Sequence, residues 1–344
     1  MKLKITVNTS SEVPVYKQLI RSIEQLVDKG VYQDGDFLPS MNELSQGLSI
    51  SKETVKKAYS LLREKGLIES AHGKGFYITS KDTAFKSKVL VLFDKLSTYK
   101  FVLYRSFAEN VDENVNITIH LHNQDPDVFE ILLNENLGNF DYYLITAHFS
   151  QDAEVQNRIL GLLKKIPNRK LILIDKQMEK LRGNFGSVYQ DFENDVYQGL
   201  FQGMEHLKKY SKLHVLSSPG SLYGHSIREG IQRFCVDHEL VYDFNSNINE
   251  TNIRQGEVYL VLNSQLDVEL IELIRIAKAK NLKIGQDIGI ISYNEAPINE
   301  IILDGLTVLS TDFQEMGKLA AEMVTSGQLS KIGNKFGLIL RKTL

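Results

Sequence analysis

From residue 88 to the C-terminus, short apolar runs alternate with amphipathic stretches, and this alternation leaves few folds open. The runs lie at 89–93, 117–121, 142–146, 171–174, 213–217, 258–262, 288–292 and 307–310. Between them, 101–113, 152–165, 195–209, 224–238, 266–280 and 312–326 repeat apolar residues at helical spacing. Strand, helix and strand in succession build a parallel sheet flanked by helices, because each parallel connection has to cross over the sheet. We read so many strands as two lobes rather than one sheet.

Ligands of open parallel sheets lie beyond the carboxyl ends of the strands. Those positions hold Asp94, Ser97, Thr98, Tyr99 and Lys100 after the first run. His148 and Phe149 follow the third, Asp175 and Lys176 the fourth, Ser217 and Ser218 the fifth, Asn263 and Ser264 the sixth, and Tyr293, Asn294 and Glu295 the seventh. Carboxylates, amides, hydroxyls and rings around one cleft suit a polyhydroxylated ligand, whose hydroxyls donate and accept while its C–H face packs on a ring. The chain has no tryptophan, so Tyr99, Phe149 and Tyr293 are the expected stacking rings.

The first eighty residues read differently. Val15, Leu19, Ile23, Leu26 and Val27 recur at helical spacing, with Pro14 before them and Gly30 after, which predicts a helix over about 14–29. Ser40-Met41-Asn42-Glu43 has the spacing of a capping box and starts a second helix. A third follows Ser49-Ile50-Ser51, with Val55, Ala58, Tyr59 and Leu62 on its apolar face and Gly66 at its end. Leu67-Ile68-Glu69 and Phe76-Tyr77-Ile78 then alternate around a basic, glycine-rich tip at 71–75, the pattern of a hairpin. Three helices and a hairpin make a winged helix-turn-helix, whose third helix enters the DNA major groove while the wing touches backbone or minor groove.

Charge agrees with that division. The whole chain of 344 residues carries a net −3, yet residues 1–80 hold eleven Lys+Arg against nine Asp+Glu, a balance of +2 that leaves −5 for the rest. Lys52, Lys56 and Arg63 fall within about 40° of one another around the third helix. A cationic stripe is more often a solvated face than a reader of DNA; the second basic element, where a wing belongs, shifts that balance.

Residues 13–79 resemble the DNA-binding domain of the gluconate-repressor (GntR) family. The matching run is Pro14, Gly35, Leu38-Pro39-Ser40, Glu43-Leu44, Ser51-Lys52-Glu53-Thr54-Val55-Lys56-Lys57-Ala58, Leu62, Gly66-Leu67-Ile68 and Gly73-Lys74-Gly75-Phe76. The resemblance implies DNA contacts from Ser40, Ser51, Lys52, Thr54 and Lys56, and from His72, Gly73 and Lys74 in the wing. The family usually has arginine where this chain has Asn42, Lys52 and Lys56. Lysine lacks the bidentate fork that reads guanine, so these lysines are expected to hold phosphates more than to specify bases.

Residues 88–344 resemble the effector domain of the lactose/galactose-repressor family, itself similar to periplasmic sugar-binding proteins. The resemblance rests on 171–175, Val188-Tyr189-Gln190-Asp191, Ser226-Ile227-Arg228-Glu229-Gly230-Ile231, 258–263, 285–294, Leu306-Thr307-Val308-Leu309 and Leu340-Arg341-Lys342-Thr343. It implies ligand contacts from Arg228, Asn263 and Asn294, with Asp175 near the cleft. The family usually has Asp at 264 and 294, where this chain has Ser and Asn, and Gly at 195, where it has Asp. With fewer acids the expected pocket is less anionic than usual.

The expected architecture is therefore α/β: a winged helix-turn-helix over 1–80, a linker over 81–87, and a two-lobed periplasmic-binding-protein-like domain with parallel sheets over 88–344. Lobe one is expected at about 88–186 and 311–328, and lobe two at about 187–310 and 329–344. The expected function is transcriptional regulation from double-stranded operator DNA by a homodimer. It would be a repressor controlled by a small sugar whose binding changes lobe closure, with activation and a phosphosugar or nucleobase effector as alternatives.

An enzyme is disfavoured, because no nucleophile–base pair or metal cluster stands out, and no cofactor or metal is expected. Gly73-Lys74-Gly75 lacks the Walker spacing. His120 and His122 share a strand face without a third ligand, and we take that strand to lie on the surface. Cys235, the single cysteine, is expected to be buried and inert on a helix. One cysteine, no signal-like N-terminus and no membrane-length apolar run point to a reducing, cytoplasmic setting away from membranes.

Overall fold

The computed structural model describes residues 5–8, 11, 13–71, 74–79, 87–217, 224–246, 248–262 and 268–344. The chain divides into two units, Met1–Lys86 and Ser87–Leu344. Among the described residues no helix is long and apolar enough to cross a membrane.

The first unit holds α1 (Val15–Asp28), α2 (Met41–Gly47), α3 (Lys52–Glu64), β1 (Ile68–Ala71) and β2 (Gly75–Ile78). Leu19, Ile23, Leu44, Val55, Tyr59 and Leu62 form its core. α2 starts at a full capping box, in which Ser40 Oγ accepts the Glu43 N–H and the Glu43 carboxylate accepts the Ser40 N–H. β1 and β2 pair antiparallel with Ala71 opposite Gly75, whose φ of +106° suits glycine at the turn. Tyr59 fixes α3 to its surroundings: its hydroxyl donates to the Pro39 carbonyl at 2.6 Å, and its ring meets the edge of Phe76.

The second unit begins with β3 (Lys88–Phe93), α4 (Thr98–Asn110), β4 (Asn116–Leu121), α5 (Pro126–Asn136), β5 (Tyr142–Ile145), α6 (Ala153–Leu163), β6 (Leu171–Asp175) and β7 (Gly186–Tyr189). It continues through α7 (Phe192–Gln202), α8 (Met204–Leu207), β8 (Lys212–Leu216), α9 (Gly224–Asp237), β9 (Val241–Asn245), β10 (Glu257–Val261), α10 (Val268–Ala279), β11 (Gly289–Tyr293) and β12 (Thr307–Thr311). It ends with α11 (Phe313–Ser326), β13 (Lys331–Gly333) and β14 (Phe336–Ile339). The strands form two six-stranded sheets, ordered β13-β7-β6-β5-β3-β4 and β14-β12-β11-β10-β8-β9. Every pairing in them is parallel except β12 with β14.

The chain passes between the sheets after Tyr189, after Thr311 and after Gly333. Asn334 joins the three passages. Its N–H donates to the Tyr189 carbonyl, and its Nδ2 donates to Thr311 Oγ1 and the Asp312 carbonyl, all at 2.8 Å. α11 leaves the second sheet but packs on α4 of the first lobe, and Gly317 permits this: a Cβ there would lie 2.3 Å from the Leu103 carbonyl oxygen. The boundary therefore falls later than the sequence suggested. Residues 187–189 and 331–333 belong to the first sheet, because β7 extends its parallel order and β13 pairs with β7.

Candidate functional site

In the first unit, the candidate DNA face is α3 and the hairpin. Ser51 caps α3 by accepting the Thr54 N–H at 3.1 Å, and its Oγ lies 2.8 Å from Thr54 Oγ1, so the two hydroxyls named for DNA contact are held together. Lys52, Lys56 and Lys74 are exposed. The Lys56 ammonium has Glu53 at 3.9 Å, a pair too solvated to hold it. Lys57 is turned away from that stripe and lies over the Tyr16 ring at 4.2 Å. His72 and Gly73 lie outside the described residues.

In the second unit, the ends of β3, β5, β6 and β7 bring one buried polar cluster together. Asp94, Lys100, Thr146, His148, Asp175 and Gln190 are all buried, Lys100 completely. The Lys100 ammonium is paired with Asp94 Oδ1 and lies 3.8 Å from Asp175 Oδ2. Thr146 Oγ1 donates to Asp94 Oδ1 at 3.0 Å, and Gln124 Nε2 donates to Oδ2 at 3.3 Å. His148 Nε2 lies 3.1 Å from Asp175 Oδ2, and the Gln190 amide donates to Asp175 Oδ1. Asp175 itself adopts φ +73°, a left-handed turn at the strand end.

Burial opposes charge on Asp94, but the Lys100 ammonium and His148 outweigh it and hold the carboxyl well below the usual range. Asp175 is likewise held low, against burial, by His148, Lys100 and Gln190. Burial and then Lys100 push the His148 imidazole toward its neutral form. Two carboxylates and one ammonium leave the cluster with a single net negative charge.

The second lobe supplies Tyr293 and Asn294 at the end of β11. The Tyr293 hydroxyl is buried, and its pKa is raised by burial first and then by the charges of Asp195 and Asp175. Tyr99 packs on Phe313, with ring centroids 4.7 Å apart. Among the described residues, Tyr293 OH, Gln190 Oε1 and Asn294 Oδ1 are buried atoms without a hydrogen-bond partner. They stand at strand ends of both lobes.

Several expected residues fall elsewhere. Phe149 is fully buried, stacked on His122 at 4.6 Å and edge-on to Phe129, and so belongs to the core of lobe one rather than the cleft. His122 is buried with it, not on a surface strand. Its Nε2 lies 3.0 Å from the Thr146 carbonyl, and burial holds its pKa down at about 4. Arg228, by contrast, stays near the carboxyl ends of lobe two's strands: it is exposed early in α9, after β8, with its guanidinium 4.2 Å over the ring of Phe244 near the end of β9. Lys100 serves as an internal counter-ion, not as an open contact. Asn263 lies outside the described residues. Cys235 is buried, and burial pushes its thiol up to about 12.

Sequence reasoning missed Thr146, Gln124, Gln190 and Asp195 as site residues. Gln190 follows β7, a four-residue strand with one aliphatic side chain that gives little periodic signal. A cavity of about 150 Å³ lies away from this cluster, on β8–β10 of lobe two. His214 lies there between Asp243 at 2.7 Å and Glu257 at 2.9 Å, polar groups that satisfy one another.

Asp195 has a consequence for pH. Its carboxylate accepts the Asp191 N–H at 2.8 Å, but burial and the charge of Asp191 push its pKa up to about 7. A carboxyl whose folded pKa exceeds its unfolded value of about 3.9 binds its proton more tightly when folded. It therefore costs no stability below about pH 4, and the cost grows as pH rises to about 7 and then levels. Allowing for its partial exposure, Asp195→Asn should gain about 1–2 kcal/mol relative to the parent between pH 4.5 and 8. Urea unfolding at the two pH values checks this, and parallel pH dependence in both proteins would contradict it.

Comparison with known proteins accords with both units. Residues 15–78 match the model of bacterial regulatory proteins of the gntR family, and residues 260–334 match a periplasmic binding protein-like domain. The HTH-type transcriptional repressor YtrA of Bacillus subtilis (strain 168) is 35% identical over 94 residues, 27% of this chain and 72% of YtrA. Three further B. subtilis regulators, described as uncharacterized, are spanned over only 16% to 30% of their own length. Among solved structures, the Lac repressor dimer bound to operator and the anti-inducer ONPF has TM-score 0.59 at 13% identity, covering 88% of this chain and 94% of that one. A periplasmic binding protein/LacI transcriptional regulator from Alkaliphilus metalliredigens QYMF, complexed with D-xylulofuranose, has TM-score 0.55 at 14% identity, covering 75% and 99%. At such identities the structures speak for the fold. The chain belongs to the gntR family of bacterial regulatory proteins, a transcriptional regulator with a DNA-binding winged helix followed by a two-lobed domain of periplasmic-binding-protein-like fold.

Proposed function

We propose that the protein is a homodimeric repressor that leaves its operator when a neutral monosaccharide binds between the lobes of the second unit. The observation that carries the reading is the set of unpaired buried acceptors and hydroxyl at the strand ends of both lobes, Gln190 Oε1, Asn294 Oδ1 and Tyr293 OH. A ligand that satisfies them has to donate hydrogen bonds, as sugar hydroxyls do, and it favours the state in which both lobes reach it. The residual negative charge beside them disfavours a phosphosugar.

YtrA, a repressor, supports the sign of regulation, and the monosaccharide-bound neighbour from Alkaliphilus supports the ligand class. Dimerisation is supported by the Lac repressor dimer. Exposed apolar side chains at Leu96 and Phe101 in lobe one, and at Val268 and Ile271 in lobe two, are in keeping with it.

The test is binding of the full chain to labelled DNA from its own promoter region, titrated with a monosaccharide panel. A neutral sugar should raise thermal stability by linkage and release the DNA. Release by purines or phosphosugars, with no response to any neutral sugar, would overturn the sugar reading.

A further inference from the structure

We propose that Lys100 sets the charge preference of the effector cleft, as a built-in cation that occupies Asp94 and Asp175 and so reserves the site for uncharged ligands. This rests on the reading that the cleft takes a small effector.

Asp94 and Asp175 end β3 and β6 on either side of β5, and both are buried. Two such carboxylates would by themselves form a cation site. Instead, every one of their oxygens already faces a donor of this chain. Asp94 Oδ1 has Lys100 and Thr146, Oδ2 has Gln124, and Asp175 has Gln190 on one oxygen and His148 with Lys100 on the other. A ligand ammonium entering the cleft would find these carboxylate oxygens engaged, and with Lys100 offsetting one of the two acids, the single negative charge that remains does not repay the cost of desolvating it. The Lys100 side chain, with no solvent exposure, cannot withdraw into water to make room.

The same arrangement dictates what the cleft offers instead. Because the Gln190 amide must turn its NH₂ to Asp175, its Oε1 is left as an unpaired acceptor. The carboxylates thus reach the ligand only through a neutral amide. Hydroxyl donors fit that amide, whereas a ligand carboxylate or phosphate would meet another acceptor and the residual negative charge.

Sugars of one stereochemistry that differ only in charge test this directly: glucose, glucosamine and glucuronate, with the corresponding galactose series, followed by thermal shift of the full chain. The parent should respond to a neutral sugar, with its amino and acid counterparts weaker by about tenfold or more. Lys100→Met frees the acids, and the amino sugar should become the stronger ligand of its series. Asp175→Asn leaves Asp94 and Lys100 balanced and keeps an amide that tolerates the positive φ, and the acid sugar should gain by about tenfold.

Either switch supports the proposal. If Lys100→Met does not fold, Asp175→Asn decides alone. Variants that keep the parent's order of preference would overturn the role of Lys100 while leaving sugar control standing. A parent preferring the amino or acid sugar overturns it as well. A parent that answers to no sugar removes the reading on which the role rests.

Discussion

Changing Lys52 and Lys56 together to alanine should weaken operator binding on the order of thirtyfold to a hundredfold near physiological salt, with thermal stability unchanged. Both lysines project from the exposed side of α3, and the one pairing seen for Lys56, with Glu53, is loose and solvated. Nothing in the fold therefore depends on them. If they hold phosphates, each bound contact releases about one counterion, so the slope of log affinity against log salt should become shallower by about 2. The loss should also be nearly the same on operator and unrelated DNA, since a lysine on phosphate carries no sequence information. Fluorescence anisotropy across a salt series measures slope and discrimination together. A loss confined to the operator would show that these lysines read bases. An unchanged slope would take them off the DNA altogether.

That expectation was legible in the sequence because its elements are local. Ser40 with Glu43, and Ser51 with Thr54, are capping contacts three residues apart, and the apolar face of α3 follows from helical periodicity. The alternation after residue 88 was legible for the same reason: strands such as β3, β6 and β10 are buried on both faces and read as continuous apolar runs. The edge strand β4 and its counterpart β12, next to an edge, were legible too, but four other strands at or near the sheet edges were not. β9, with Asp243 and Asn245 among its aromatics, and the short β7, β13 and β14 have mixed composition, and only pairing defines them.

The cleft was half legible. The strand-end rule pointed to Asp94, His148 and Asp175, and to Lys100 in the first turn of α4, and the structure places these four in one cluster because the topology brings those ends together. What each group does depended on contacts distant in sequence. Asp94 meets Thr146, 52 residues on, and Asp175 meets Gln190 across two strand ends. Phe149 shares a strand end with His148 yet points into the core toward Phe129. Neighbours in sequence at a strand end diverge by side, and no periodicity states which of them joins the polar cluster.

Asp94→Ala should be the most damaging single change in the second unit, lowering its stability by about 3–5 kcal/mol, because it strands the Lys100 ammonium in a dry site with Asp175 3.8 Å away as its remaining partner. The size of the loss is not the worth of the pair. Removing both charges with apolar side chains of similar volume, as in Asp94→Leu with Lys100→Met, should restore most of the stability, since desolvating two ions offsets much of their attraction. Thr146 and Gln124 would still lose their acceptor, so recovery should stop about 1–2 kcal/mol short of the parent. Thermal and urea unfolding of the parent, Asp94→Leu, Lys100→Met and the double variant complete the cycle, with a coupling of about 2 kcal/mol or more expected. Additive losses would mean that Lys100 and Asp94 do not act as a pair. A double variant near parental stability would show that the fold does not require these charges.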